Sequence, residues 1–276
     1  MIKKRGRVSR TMFLIYSCIV LGFLYAPIAV MVLFSFNAKE NRSTTSFQPA
    51  SLYWYKEVLV NDTAMQALRN TIFLALLAAG IAVILGTIAA ISVDRMRRKW
   101  VQTAVLQVTN LPLMNPEIVT GISLMLLFVF AAQLLGLREK LNFTTMLLAH
   151  ITFCLPYVVL SILPKLRQMD PHLVEAAQDL GCSQFRAFFK VTLPFIRTGI
   201  VSAFIMAVTI SLDDFVISYF VSGSDFVTLP LYLFSLTRKR VKPDIYALST
   251  LVFAAIFLLM LLSNFVQIRA EKRAKK

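Results

Sequence analysis

The 276-residue chain is poor in cysteine, histidine and acidic residues: three Cys, two His and 14 Asp plus Glu. Cys18, Cys154 and Cys182 are isolated from one another, and the two histidines share no motif, so no pair has the spacing of a metal site. No glycine is followed by lysine, so the phosphate-binding loop needed for ATP hydrolysis is missing. These absences argue against a metal centre and predict that the chain is not an enzyme.

Basic residues dominate the charge, because 29 Lys and Arg face 14 acids and the formal net charge is +15. Such a charge suggests nucleic-acid binding. However, 58% of the residues are hydrophobic and the mean hydropathy is +0.71, whereas soluble domains average about 45–50% apolar residues. The sequence therefore predicts an integral membrane protein that binds no nucleic acid.

Long apolar runs divide the chain into segments, most of which have the roughly 20-residue length that crosses a bilayer core. The six segments are 12–36, 71–93, 101–135, 144–164, 198–221 and 246–268. The third is too long for one span and contains Pro112 and then Asn115, Pro116 and Glu117. Proline removes a backbone donor, and Asn-Pro-Glu suits a new helix start. We therefore expect a broken helix in 101–135.

The distribution of Lys and Arg predicts the orientation of the spans. If both termini are cytoplasmic, the inner pieces are 1–11, 94–100, 165–197 and 269–276, and they hold 19 of the 29 basic residues. This excess follows the positive-inside rule. The apolar run after 1–11 is too long for a cleaved signal peptide, so we expect a retained first span.

Three carboxylates lie inside the apolar segments: Glu117, Asp213 and Asp214. A charged residue at the centre of a span costs about 2.5–3.5 kcal/mol on insertion scales, so these acids are candidates for a functional role. In a continuous helix, Asp214 would share a polar stripe with Ser211 and Ser218, at about 100° from Asp213. Asp213 and Asp214 either line a path through the membrane or stabilise contacts between helices. Glu117 either lines the path or, in the first turn of the restarted helix, is favoured by the helix dipole.

The stretch 170–194 has the sequence of a short capped helix followed by a second turn. Asp170 and Pro171 suit its start, and Gly181 suits its end. Ser183 can cap the second turn, which Leu193 and Pro194 are expected to end before the fifth span. Leu173, Ala176, Ala177 and Leu180 form one apolar face. From the residues alone, an interfacial helix lying on lipid is one interpretation.

The same stretch resembles the cytoplasmic EAA loop of permease subunits from binding-protein-dependent ABC importers. That loop has Glu-Ala-Ala, three residues, Gly, nine residues and then Ile-x-Leu-Pro. The matching residues here are Glu175, Ala176, Ala177, Gly181, Val191, Leu193 and Pro194. Val191 in place of Ile is the single departure. The resemblance implies a coupling helix that docks into a groove on an ATPase subunit.

Further stretches resemble the spermidine/putrescine-type permeases. They are 116–118, 150–157, 211–215, 229–230 and 243–250. Two departures are Ser224-Asp225, where that subfamily tends to have Pro-Gly, and the strongly basic run 238–242. The resemblance implies the type I ABC importer permease fold: an all-α membrane protein of the bacterial inner membrane, with six transmembrane helices and a cytoplasmic coupling helix.

The function implied by the resemblance is that of a permease subunit forming the path for polyamines. The implied partners are a second similar permease, two ATP-binding subunits that use ATP and Mg, and an external polyamine-binding protein; this chain would bind no cofactor. Acids and aromatic rings attract such polycations. The candidate path residues are Asp213, Asp214, Glu117, Ser211, Ser218, Tyr219, Phe220 and Tyr157. Alternatives are a permease for another small solute, such as thiamine, iron or an opine, and a stand-alone channel or membrane scaffold.

Overall fold

The computed structural model describes residues 7–38, 51–137, 141–170, 172–238 and 243–274. The predictions for Pro171, for the basic residues at 1–6 and 239–242, and for the last two residues lie outside this part of the chain. Within the described residues there are helices and no strands. The helices are α1 (Arg7–Ser35), α2 (Tyr53–Val60), α3 (Asp62–Asp94), α4 (Lys99–Met114), α5 (Glu117–Leu134), α6 (Phe143–Arg167), α7 (His172–Asp179), α8 (Gln184–Ala187), a π-helical turn (Phe188–Thr192), α9 (Leu193–Asp213), α10 (Val216–Val221), α11 (Leu229–Thr237) and α12 (Pro243–Ala274).

Six helical stretches in the described residues are long and apolar enough to cross a membrane. They are Met12–Ser35, Asp62–Asp94, Glu117–Leu134, Phe143–Arg167, Gln184–Asp213 and Asp244–Leu262. The predicted all-α architecture with six transmembrane helices is therefore confirmed.

The chain divides into two compact units, one formed by residues 1–65 with 235–254 and the other by residues 66–234 with 255–276. In the first unit, the end of α1 packs against α2 and the start of α12. The hydroxyls of Ser35 and Tyr55 are hydrogen-bonded at 2.5 Å, and the rings of Phe34 and Tyr246 lie 6.2 Å apart between centroids.

The core of the second unit is built from α3, α6 and α9. Small residues on α3 are fully buried: Ala75, Ala78, Ala79 and Ala82. Gly86 continues this small-residue surface, because a Cβ placed there would lie 2.5 Å from Cγ1 of Val158 on α6. Small side chains let helices approach closely inside a membrane, where packing rather than the hydrophobic effect drives association.

A second cluster of buried side chains comes from the first halves of α3 and α6 and from α10. Its members are Leu74, Met146, Ala149, Phe153, Ile217 and Val221. Here α10 packs against α5, and Gly121 permits this contact because a Cβ at that position would lie 2.8 Å from Cδ2 of Phe220. The short helix α10 is thereby held close to two spans.

Two chain breaks divide the apolar segments. Helix α4 ends at Met114 and α5 begins at Glu117, at the Asn115-Pro116 pair that led us to expect a broken helix. The second break was not predicted: the segment 198–221 is α9 followed by α10, with Asp214 and Phe215 between them. The continuous fifth span is therefore corrected to a broken one, because Asp214 adopts an extended ψ of 119° and caps the helix that follows.

Candidate functional site

Helix α7, which carries the predicted coupling motif, starts with a capping acid and a pair of interacting side chains. The Asp170 carboxylate accepts a hydrogen bond from the His172 amide at 3.0 Å, as a capping acid does. Nδ1 of His172 lies 3.0 Å from Oε2 of Glu175, and both side chains are largely exposed. The hydrogen bond to Glu175, together with the negative charges of Asp170 and Glu175, raises the pKa of His172.

The end of α7 is a left-handed glycine cap. Gly181 has a φ of +83°. Its amide donates to the Gln178 carbonyl at 2.8 Å, and the Cys182 amide donates to the Ala177 carbonyl at 3.0 Å. This pair of bonds is the Schellman arrangement, which needs a residue that tolerates positive φ. The prediction that Gly181 ends the helix in this conformation is confirmed.

We call residues 170–194 the coupling segment. After Gly181, this segment turns and enters the fifth span without interruption. Ser183 Oγ accepts the Arg186 amide at 3.4 Å and caps α8. The chain then passes through the π-helical turn into α9. The prediction that Leu193 and Pro194 end this segment is wrong: Pro194 lies in the first turn of α9, directly after the π-helical turn, and the helical stretch runs on through it.

The coupling segment presents apolar side chains on its surface. Leu180 is 87% exposed and Phe185 is 73% exposed. The ring of Phe185 lies 4.9 Å from that of Phe189, between centroids. None of the described residues of α7 is buried. An exposed apolar patch of this kind marks a surface that contacts a membrane or another protein.

A polar cluster lies at the break between α9 and α10. The Asp214 carboxylate accepts hydrogen bonds from the amides of Ile217, at 3.2 Å, and Ser218, at 2.8 Å. It also accepts the Ser218 hydroxyl at 2.9 Å. Asp214 is therefore a helix cap that starts α10, and its side chain satisfies amides that would otherwise lack partners.

His150 on α6 completes this cluster. Its Nδ1 lies 2.7 Å from Ser211 Oγ, and its Nε2 lies 3.0 Å from Ser218 Oγ and 3.5 Å from Asp214 Oδ2. With a ring proton on Nε2, that proton is donated to Ser218, Ser218 donates to Asp214, and Ser211 donates to Nδ1. Every member then has a partner inside the low-polarity interior.

The structure thus brings together three of the predicted path residues, Ser211, Asp214 and Ser218, and buries them. His150 was missed as a member of this group, although a histidine inside an apolar span is itself a rare residue that signals function or pairing. In this conformation the cluster joins α6 to the break in the fifth span. Its role in a substrate path stays a prediction.

The other two acids are exposed. Asp213 is the last residue of α9, and Glu117 is the first residue of α5. A negative charge at a helix C-terminus is disfavoured by the helix dipole, and Asp213 has no ion-pair partner among the described residues. Glu117 lies at the N-terminus of α5, where the helix dipole favours a negative charge. The position of Asp213 therefore has no local explanation in terms of stability.

Aromatic side chains surround the same break. The ring of Tyr219 lies 5.7 Å from Phe215, 5.4 Å from Phe220 and 5.8 Å from Phe234, between centroids. Tyr219 is 44% exposed and Phe220 is partly buried. Tyr157, on α6, is partly buried and contacts Phe153 edge-on at 5.7 Å. The predicted aromatic residues therefore fall into two groups, one on α10 and one on α6.

Comparison with known proteins identifies the family to which this chain belongs. The profile of the family described as "Binding-protein-dependent transport system inner membrane component" matches residues 82–276. The chain belongs to this family, and it is therefore a multi-pass membrane protein that serves as a transport permease subunit.

Individual relatives are similar over nearly the whole chain. "Putrescine transport system permease protein PotI" of Escherichia coli K12 is 40% identical over 251 residues, which are 91% of this chain and 89% of the relative. "Spermidine/putrescine transport system permease protein PotC" of Haemophilus influenzae is 38% identical over 255 residues, or 92% of this chain and 94% of the relative.

Solved structures support the same fold. A chain from a bacterial ABC transporter involved in the import of the acidic polysaccharide alginate superposes with a TM-score of 0.72 and 17% identity, covering 95% of each chain. At this identity the likeness concerns the fold alone. The predicted type I ABC importer permease fold is confirmed.

Proposed function

We propose that this chain forms the translocation path for polyamines, putrescine and spermidine, in an ATP-driven importer. The observation that carries the proposal is the 40% and 38% identity, over about nine tenths of the chain, to permeases named for transport of these compounds. The polar and aromatic residues around the break in the fifth span add a chemical reason that does not depend on the relatives.

A polyamine is a flexible chain of ammonium groups, so its path needs negative charge and aromatic faces. Asp213 provides an exposed carboxylate whose place at a helix end has no local stabilising role, and Tyr219 provides a half-exposed ring six residues further on. Glu117 gives a second exposed carboxylate at the break before α5. These groups attract a cation weakly enough for it to leave again, because they remain accessible to solvent.

Asp214 differs from these exposed acids because its carboxylate is buried. Its carboxylate caps α10 and contacts His150, so in this conformation it holds the broken span in place. Broken helices at membrane depth supply the sites and hinges of many transporters. When α10 changes its position, Asp214, Ser211 and Ser218 exchange their hydrogen bonds within the cluster, including those to His150, for contacts with the substrate.

The coupling segment transmits the ATPase cycle to the spans. Glu175, Ala176 and Ala177 lie on the exposed helix α7, while Leu193 and Pro194 open α9. A displacement of α7 therefore passes through the turn at Gly181 and then along the helical stretch 184–213 to the broken span. In this scheme the ATPase subunits bind ATP and Mg, and their closure moves α7 and reopens the path on the opposite side. This chain itself binds no nucleotide.

The assembly contains this permease, a second similar permease, two ATP-binding subunits and an external polyamine-binding protein. Both termini of this chain and α7 lie on the cytoplasmic side, as the excess of basic residues there supports. A solved relative of this fold, from an alginate transporter in complex with a pentasaccharide-bound periplasmic protein, offers a precedent for the external partner.

Transport by the reconstituted complex tests the substrate. Proteoliposomes with internal ATP and the binding protein outside should accumulate labelled putrescine or spermidine, and excess unlabelled polyamine should compete while sulfate should not. Absence of polyamine uptake from a complex whose ATPase is stimulated by a different loaded binding protein would contradict the proposal. A complex with an inactive ATPase provides the baseline.

A further inference from the structure

A surface groove lies between the end of α3 and the start of α8, away from the polar cluster at the helix break. Its volume is about 540 Å³. It is lined by Ile88, Ile91, Ser92, Arg95, Ser183, Gln184, Phe185 and Phe188. The groove thus combines one cation and several polar side chains with apolar walls.

The position of the groove relative to the bilayer follows from the two helices that form it. One candidate span, Asp62–Asp94, ends beside the groove, and another, Gln184–Asp213, begins there. The lining residues therefore lie at the boundary between the hydrocarbon core and the headgroup layer. Trp100, which is 71% exposed, follows the groove in the chain, and tryptophan is enriched at such boundaries.

The polar end of the groove is suited to an anion. The nearest acid in the chain, Asp94, is engaged by Arg167 at 3.9 Å, and among the described residues Arg95 has no ion-pair partner. Ser183 Oγ accepts the Arg186 amide, so its own proton remains available to donate, as do the amide protons of Gln184. Four of the five residues from 95 to 99 are basic, which makes the local potential positive.

The walls of the groove are suited to hydrocarbon. Ile88 is 58% exposed and Phe185 is 73% exposed, and both lie in stretches apolar enough to be membrane spans. A free inorganic phosphate would leave these side chains uncovered. A lipid satisfies both ends of the groove at once, with its headgroup beside Arg95 and one acyl chain along Ile88 and Phe185.

We propose that this groove binds an anionic phospholipid, with the phosphate held by Arg95, Ser183 and Gln184 and an acyl chain against Ile88, Ile91 and Phe185. Basic pockets between spans on the side of excess positive charge recognise anionic headgroups in general. The site goes beyond the proposed substrate path, because it would tie the coupling segment to lipid composition whatever solute is carried.

Photocrosslinking from within the groove tests the proposal. The complete transporter, with p-benzoylphenylalanine in place of Phe185, is placed in nanodiscs of equal phosphatidylglycerol and phosphatidylcholine with identical chains. Lipid adducts are counted by mass spectrometry. We expect phosphatidylglycerol adducts to exceed phosphatidylcholine adducts about fivefold, the factor that corresponds to one basic residue acting near an anionic surface.

Two charge-removing variants locate the effect. Arg95→Gln should bring the adduct ratio close to that of the lipid mixture. Arg98→Gln, an exposed residue of the same connection that does not line the groove, should leave the ratio unchanged. Three results would each overturn the proposal. They are an adduct ratio equal to that of the lipid mixture when Arg95 is present, adducts with the ATPase subunit alone, and displacement of the lipid by excess inorganic phosphate.

Discussion

Nε2 of His150 lies 3.5 Å from Oδ2 of Asp214, and both side chains are almost fully buried. His150 lies in the first third of α6, whereas Asp214 lies at the break in the fifth span. The contact, with the serines on either side of it, therefore joins a continuous helix to a broken one. It gives the break a physical cause that depends on tertiary structure.

Replacing His150 should destabilise the protein more than removing an exposed polar group from the same helix. In His150→Ala, the Ser211 hydroxyl loses its His150 partner, and Ser218 keeps only its bonds to the buried Asp214. Leaving buried polar groups without partners costs about 1–3 kcal/mol each. Thermal unfolding in detergent should show a clearly lowered midpoint, whereas the control Thr152→Ala, whose hydroxyl is exposed, should not. Equal midpoints for the two variants would mean that the cluster does not stabilise the fold.

Replacing Asp213 should impair transport without destabilising the protein. The Asp213 carboxylate is exposed, has no ion-pair partner among the described residues and is disfavoured by the helix dipole, so Asp213→Asn should leave the unfolding midpoint equal or slightly raised. If the carboxylate attracts the substrate, polyamine uptake should fall several-fold, since the local negative charge is lost. The control Glu57→Gln removes an exposed charge from α2. Full uptake by Asp213→Asn would remove this residue from the path.

The left-handed conformation of Gly181 predicts that a side chain added at this position destabilises the end of α7. Gly181→Ala meets no atom within 4 Å, so its cost is conformational and should be about 1 kcal/mol. Hydrogen exchange of the α7 amides should accelerate, and Gly181→Asn should do less harm, because Asn tolerates this conformation. Gly80→Ala, which also meets nothing within 4 Å but has no positive φ, is the matched control. Slower exchange in Gly181→Ala would contradict the cap.

The order of α7 should depend on pH through His172. Its pKa is raised chiefly by the hydrogen bond to Glu175 and then by the charge of Asp170. The folded-state pKa therefore exceeds the ordinary value of about 6.5, so the stabilising contribution is complete below that value and is lost as the pH rises through the raised pKa. An NMR titration should give a lower pKa for His172 in Glu175→Gln than in the parent chain. An unchanged pKa would show that the pair does not persist in solution.

Much of the architecture could be predicted because apolar length and proline report directly on local structure. Runs of about 20 apolar residues define spans, and Asn115 with Pro116 marks the helix break that precedes Glu117. Asp170, Gly181 and Ser183 serve as capping residues in α7 and α8, since caps depend on near neighbours in the chain. The coupling motif could be recognised for the same reason.

The polar cluster could not be predicted in full because its members come from distant parts of the chain. Nothing near Asp214 resembles a helix breaker, and its capping bonds form where α6 supplies His150. Pro194 was misinterpreted because proline both ends helices and opens them. The π-helical turn before α9, which makes the coupling segment continuous with the span, has no sequence signal that we recognised.

Glu175→Lys tests most directly whether α7 couples an ATPase to the movement of the spans. Uptake of labelled putrescine is measured in proteoliposomes that contain the assembled complex, with Glu57→Lys as the charge-reversal control on α2. We expect uptake by Glu175→Lys to fall roughly 5- to 150-fold, the range typical of coupling between sites, while the control transports normally. Normal uptake by Glu175→Lys in an intact complex would contradict the coupling role of α7.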